Sequence, residues 1–268
     1  MKNKIDSIVD WIKLETKKAG ADGVLVGVSG GVDSAVVAYL AKKSFPNNSL
    51  GIWMEIESSR TSRRNSLRVL EDSQINRVEL DLKPAFNQMI LDIFEIEIND
   101  PNDLVMFEKK MNGEEIPKDK SYLNLKNIIE IRANIKARLR MTTLYAYAQK
   151  MNYLVLGTSN FSEIYVGYYT KWGDGVADLG PIANFTKTQV YDLAKELKVP
   201  QEVIDAKPIA DLSPNQDSDE KELGVSYKEI DQYINGDKTS ILTRKKINHL
   251  YENNHHKIIG VKAYEFED

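Results

Sequence analysis

Gly27-Val28-Ser29-Gly30-Gly31-Val32-Asp33-Ser34 is the stretch on which the fold assignment turns. It follows a short apolar run (Val24, Leu25, Val26, Val28) that reads as a strand, and it opens a second run (Ala35, Val36, Val37, Ala38, Leu40) that reads as a helix. Strand, glycine-rich turn and helix N-terminus bring unpaired backbone N–H groups and the positive end of a helix dipole to one point, which makes an anion site. Glycines let a phosphate approach the backbone closely, and the Ser29 and Ser34 hydroxyls can donate to its oxygens. A Walker A loop carries Lys after its last glycine, whereas this loop carries Asp33 and no cation. A carboxylate beside a phosphate is repulsive unless a divalent cation lies between them, so the loop implies Mg²⁺. The expected ligand is the pyrophosphate portion of ATP rather than a γ-phosphate awaiting transfer.

Outward from this loop, apolar periodicity predicts a helix over 3–19, a strand over 23–28 and a helix over 33–44. A strand over 50–54, a helix near 61–74, a strand over 76–82 and a helix over 83–98 follow. Strands and helices alternating at this spacing predict an α/β fold, a doubly wound parallel sheet flanked by helices, in a single domain over 1–268. Residues 99–120 are polar and turn-rich and read as an excursion. A long helix over 122–150 precedes a strand at 153–156, and a loop-rich segment begins at 157. Beyond a helix at 186–198, the acidic, proline-flanked stretch 199–222 is expected to be mobile without ligand. Helices near 226–235 and 238–253 finish the chain. Ligands of such sheets sit at the carboxyl ends of the strands where the strand order switches, which is where the 27–34 loop would lie.

Composition narrows the chemistry. With 268 residues, 42% of them hydrophobic, the chain can build a substantial core. A formal net charge of −4 argues against general affinity for nucleic acid or anionic membrane. No apolar run approaches the roughly 18 residues of a membrane span. The first 18 residues read as an amphipathic helix rather than a signal peptide, so a cytoplasmic protein is expected. The absence of cysteine excludes disulfides, thiolate metal sites, an in-chain Cys glutaminase and persulfide or Fe–S chemistry. An amidating enzyme of this composition would take ammonia directly or receive it from a partner.

Several further constellations carry candidate chemistry. On the 122–150 helix, Ile128, Ile131, Ile135, Leu139 and Thr142 share one stripe, with Lys136 and Arg140 on the opposite side, where a solvated face is expected. Arg138 falls within the apolar stripe, where its planar fork would need either a ligand phosphate or carboxylate or a buried acid. In Gly157-Thr158-Ser159-Asn160-Phe161-Ser162-Glu163, Thr158 or Ser159 could cap the next helix. If this strand neighbours the first, Glu163 could reach the same cation as Asp33. The run Val166–Gly175 is dense in aromatics, cations and glycine, and suits either stacking of a flat ring or capping of the core. The three histidines, His249, His255 and His256, make no credible zinc site.

The string SGGVDS resembles the PP-loop of the N-type ATP pyrophosphatases, which cut ATP to AMP and pyrophosphate. Taken with NIKARLRM at 134–141, LGTSNFSEIYVGYYTKWGDGVADLGPI at 156–182 and SDEKELGVSY at 218–227, nearly the whole chain resembles the ammonia-dependent NAD⁺ synthetases. The resemblance implies amidation of deamido-NAD⁺ to NAD⁺ through an acyl-adenylate, with ATP as co-substrate and free ammonia as nitrogen source. It implies ATP contacts from Gly27, Val28, Ser29, Gly30, Gly31, Val32, Asp33, Ser34, Thr158, Lys187 and Ile209, and Mg²⁺ on Asp33 and Glu163. Asp33, Glu163 and Lys187 would be the catalytic set, and Arg138, Lys171, Asp178, His256 and Lys257 would bind deamido-NAD⁺. It also implies a homodimer, with the dinucleotide site shared across the interface and the long helix contributing to it. Three departures concern nucleotide affinity: Met54–Arg60 lacks a proline-bearing, acid-rich pattern, Ile209 stands where a hydroxyl is usual, and Val176 replaces a glycine. The rival readings are another PP-loop ligase, such as the synthetase subunit of a GMP-forming system, and a nucleotide sensor without turnover.

Overall fold

A computed structural model describes residues 1–94, 128–209, 211–212 and 218–264. In chain order its elements are α1 (Lys2–Lys18), β1 (Gly23–Gly27), α2 (Val32–Ser44), β2 (Ser49–Glu55), α3 (Arg60–Asp72), β3 (Asn76–Asp81) and α4 (Lys83–Ile93). After these come α5 (Ile128–Met151), β4 (Tyr153–Val155), α6 (Phe161–Val166) and α7 (Lys187–Glu196). The short α8 (Gln201–Ile204) and α9 (Asp219–Leu223) precede α10 (Tyr227–Ile234) and α11 (Ile241–Ile258).

The four strands pair in parallel in the order β3-β2-β1-β4. Leu25 of β1 stands level with Leu50 of β2 and with Val155 of β4. Successive side chains of a strand point to opposite faces, and both faces of the central strands are covered, so nearly every residue there is apolar. Val24, Val26 and Trp53 enter a core shared with α1, α2 and α7. Leu25, Leu50, Ile52, Met54 and Val155 enter a second core, where they meet Met141, Leu144 and Ala148 of α5. The chain winds outward from β1 to β3 and returns through α5 to place β4 on the other side of β1. The order therefore switches between β1 and β4, and the loops leaving their carboxyl ends face one another there. This is the doubly wound parallel sheet expected from the sequence. The predicted excursion at 99–120 and the first turns of the predicted 122–150 helix lie outside the described residues, as do residues 210 and 213–217 of the acidic stretch.

Helix α5 reverses one expectation. Lys136 is wholly buried and Arg132 nearly so, whereas Arg138 and Thr142 are exposed. The helix packs on two sides at once. Ile131, Ile135 and Leu139 meet Phe86 and Ile90 of α4, and Met141, Leu144 and Ala148 meet the sheet. Arg132, Lys136 and Arg140 repeat at four-residue spacing between these two apolar stripes, so they face inward. A single-stripe reading of the periodicity sees only the first contact and assigns the cations to solvent. The short α8 and α9 were also unexpected, because four or five residues are too few to show a period.

Among the described residues no helix is long and apolar enough to cross a membrane. Leu25 is fully buried at the middle of β1. Leu25→Ala is expected to cost about 2–5 kcal/mol of stability, read as a lower urea midpoint at unchanged slope.

Candidate active site

The 27–34 loop closes tightly against α3. Gly30 has φ +90°, and a Cβ there would lie 2.4 Å from the Ser62 carbonyl oxygen, so only glycine fits. Ser34, buried, donates its hydroxyl to the Gly31 carbonyl at 3.0 Å and accepts from the Ser29 N–H at 3.1 Å. That hydroxyl, expected at a phosphate, is thus spent bracing the loop, while the exposed Ser29 lines the cavity. No side chain caps α2, nor α1, α4, α8 or α9, whereas α3, α6, α7, α10 and α11 are capped by Ser59, Asn160, Thr186, Ser226 and Ser240. The N-terminus of α2 opens into a cavity of about 710 Å³. Its first-turn N–H groups therefore suit an anionic partner.

Three charged side chains from separate elements meet at this end of the cavity. Lys187 Nζ lies 2.6 Å from Asp33 Oδ2 and 3.1 Å from Glu163 Oε1. Asn160 Nδ2 donates to Asp33 Oδ1 at 2.9 Å, and the same side chain caps α6 in a capping box with Glu163. The cap thus falls to Asn160 rather than to Thr158 or Ser159. Lys187 begins α7, and its backbone N–H donates to Ser162 Oγ at 2.9 Å. Ser162 in turn donates to Asp231, which also takes the N–H and hydroxyl of Thr188. Asp231 thereby ties the starts of α6 and α7 to α10. Lys187 is 3% exposed and lies 4.7 Å from the Tyr227 ring centroid. Burial works against its charge, but Asp33 and Glu163 outweigh that and hold its pKa above the ordinary lysine value. For Glu163, burial is the larger influence and pushes the carboxyl up to about 7 despite Lys187.

The cavity wall carries a second ion cluster. Glu57, at φ 54°, accepts from Arg132 at 2.7 Å through both carboxylate oxygens and pairs with Lys136 at 2.7 Å. The Phe86 ring lies 4.9 Å from the Arg132 guanidinium and 5.4 Å from Lys136 Nζ. Lys136 also donates to the Leu212 carbonyl at 2.9 Å, and Ser59 N–H donates to Asp211 Oδ2 at 2.9 Å. The atypical 54–60 segment thus anchors residues 211–212 over the cavity. Arg140 lines the cavity and donates to the Met54 carbonyl at 3.4 Å and to Ser58 Oγ at 3.3 Å. Sequence reasoning passed over Glu57, Arg132 and Asn160 and assigned Lys136 and Arg140 to solvent. The one signal available was the four-residue spacing of three cations between apolar stripes.

Thr158 and Ile209 line the cavity with the 27–34 loop. Arg138, Lys171, Asp178, His256 and Lys257 do not. Arg138 Nε donates to the Lys171 carbonyl at 3.2 Å, and Lys171 Nζ to the His256 carbonyl at 2.6 Å. Lys257 Nζ donates to the carbonyls of Gly167 and Tyr169, and so fastens the end of α11 to the aromatic loop. Asp178 accepts from Val155 N–H at 2.7 Å and from the Tyr145 hydroxyl at 3.2 Å. From the aromatic run, Tyr168 and Asp174 reach the cavity, while Trp172 is 53% exposed.

Asp33 and Glu163 supply only hard oxygen donors, which suits Mg²⁺. Among the described residues no group of three or more His, Asp or Glu could hold a metal. Two carboxylates are fewer ligands than Mg²⁺ takes, so an ion held here would draw its remaining ligands from phosphate oxygens or water.

A family model described as NAD synthase matches residues 4–261. An NH(3)-dependent NAD(+) synthetase from Alkaliphilus oremlandii is 40% identical over 257 residues, 96% of this chain and 94% of its own. One from Mesoplasma florum is 38% identical over 263 residues, 98% of this chain and 96% of its own. Among solved structures, the NMN synthetase from Francisella tularensis superposes with a TM-score of 0.84 at 31% identity, over 99% of this chain and 98% of that one. The NH3-dependent NAD synthetase from Campylobacter jejuni shares the fold with a TM-score of 0.70 at 24% identity, over 99% of each chain.

The wall cluster has a measurable consequence. Burial disfavours the Glu57 carboxylate, but Lys136 and Arg132 outweigh it and hold the pKa below the usual 4.5. Such a group stabilises the fold above that value, and its contribution is lost as pH falls through the folded-state pKa. Glu57→Gln leaves two buried cations without a counter-charge and is expected to cost about 3–5 kcal/mol at neutral pH. Denaturation at several pH values should also show a shallower loss of stability below pH 4.5 in this variant than in the parent.

Proposed function

Because the chain belongs to the NAD synthase family, we propose that it is an ATP-dependent ligase that amidates the nicotinate carboxylate of deamido-NAD⁺ with ammonia. The observation that carries this reading is the Asp33–Lys187–Glu163 cluster beside the uncapped start of α2, at one end of a 710 Å³ cavity. A carboxylate is a poor acyl donor, so it first attacks the α-phosphorus of ATP and displaces pyrophosphate. Lys187 and the first-turn N–H groups of α2 stabilise the charge that develops on the leaving group. Asp33 and Glu163 would hold Mg²⁺ together with phosphate oxygens, and the ion would neutralise negative charge on the pyrophosphate. Ammonia then attacks the acyl carbon of the adenylate and expels AMP. Otherwise the protein positions the reactants and keeps water from the activated acyl group.

In this reading Gly27–Ser34, Thr158, Lys187 and Ile209 contact ATP, and Arg138, Lys171, Asp178, His256 and Lys257 contact the dinucleotide. The latter five lie outside the cavity of one chain, and Arg138 is exposed on α5. This supports a homodimer whose second copy completes the dinucleotide site. One folded unit over 1–268 and a cytoplasmic setting complete the proposal.

A second reading concerns the acid substrate. The likeness to an NMN synthetase favours a mononucleotide acid, nicotinate mononucleotide, as an alternative acceptor. Amide and pyrophosphate formation should be measured with ATP, ammonium and either acid, with xanthosine monophosphate as control. Deamido-NAD⁺ is expected to give the higher kcat/KM. A preference for the mononucleotide would establish the second reading, turnover of the xanthine nucleotide would restore a GMP-forming ligase, and binding without turnover would indicate a sensor.

Asp33→Ala is expected to lower adenylation by at least about a hundredfold, measured as first-turnover pyrophosphate, while circular dichroism stays that of the parent. Full activity in that variant would refute the role given to Asp33.

A further inference from the structure

Amidation from ammonium releases protons, and the residues assigned above include no route for them. Asp219 is 6% exposed and lines the cavity. Its Oδ2 faces the Tyr227 hydroxyl at 3.1 Å and its Oδ1 the Tyr168 hydroxyl at 3.2 Å. The same Tyr168 hydroxyl lies 2.7 Å from Oε2 of Glu222, which is exposed. A phenol carries one hydrogen and cannot donate to two carboxylates at once. With that hydrogen on the nearer Glu222, Asp219 Oδ1 faces a phenol lone pair across 3.2 Å, a gap that a proton on Asp219 would bridge. Carboxylate, phenol and carboxylate thus run in contact from the cavity to the surface.

We propose that Asp219 accepts the proton that ammonium must lose before it attacks, and that Tyr168 passes that proton to Glu222 and so to water; this rests on the amidation reading above. An N–H bond of ammonium breaks and an O–H bond forms on Asp219, which leaves the lone pair on ammonia. That pair forms the C–N bond at the acyl carbon, while the C–O bond to AMP breaks and AMP leaves with its electrons. The second surplus N–H proton follows the first. Tyr168 gives its hydrogen to Glu222 as it takes one from Asp219, so the phenol is regenerated. Burial supports the assignment by raising the Asp219 carboxyl above its usual 3.8, against the opposing influence of Lys187 and the Tyr227 hydroxyl. The Asp33 charge acts in the same sense as burial.

Asp219→Asn and Tyr168→Phe should be compared with the parent in two measurements. One is first-turnover pyrophosphate, which reports adenylation. The other is product formation with either ammonium or hydroxylamine, a nucleophile already neutral at neutral pH. Expected are pyrophosphate bursts within about twofold of the parent, with ammonium-dependent amide formation about a hundredfold slower in Asp219→Asn and about tenfold slower in Tyr168→Phe. Hydroxamate formation should stay within about twofold of the parent in both variants. Equal losses with both nucleophiles, or parental rates with ammonium in both variants, would overturn the relay. If Asp219→Asn does not fold, Tyr168→Phe, which removes only a hydroxyl, decides alone. A parent protein that forms no amide from either acid defeats the amidation reading itself, and the relay with it.

Discussion

Lys187 holds the site together. Its ammonium is buried between two carboxylates that arrive from different elements, Asp33 from the start of α2 and Glu163 from the start of α6. Taking such charges out of water costs several kcal/mol per ion unless each is paired and hydrogen-bonded. Here the pairing is completed by Asn160 on Asp33 and by the capping box around Glu163. The cluster can form only if β1 and β4 lie side by side, because the two carboxylates hang from the loops at those strand ends. The electrostatics of the site and the strand order of the sheet therefore constrain each other. One lysine and the open N-terminus of α2 are thus set against two carboxylates at this end of the cavity.

Much of this was legible in the sequence, for a local reason. The strand, glycine turn and helix around Gly27–Ser34 are specified by neighbouring residues, and the sheet type follows from the alternation of such strands and helices along the chain. Asp33 and Glu163 were named because ordered motifs carry them, and Lys187 because the family resemblance implies it; the fold brings all three within hydrogen-bonding distance.

What stayed hidden depends on packing between distant segments. Helix α5 buries two stripes, so a rule that seeks one apolar face placed Lys136 and Arg140 in water and Arg138 inside. No periodicity can reveal Glu57, which follows β2 and meets α5 from 75 residues away. The α6 cap was assigned to the wrong residue because Thr158, Ser159 and Asn160 are all competent, and only the helix's start decides among them. Of the five residues expected at the dinucleotide, Arg138, Lys171, His256 and Lys257 contact one another or the aromatic loop, Asp178 contacts β4 and α5, and none lines the cavity.

The bare start of α2 places usefulness and robustness at odds. Gly31 has an ordinary φ of −84°, and a Cβ there would meet only Ser29 Oγ, at 3.6 Å. A capping Asp or Ser would fit, and by the usual worth of such caps would firm up the fold by about 1 kcal/mol. It would do so by occupying the very N–H groups that a phosphate would use. A protein engineer seeking heat tolerance would find this a tempting position and one to leave alone.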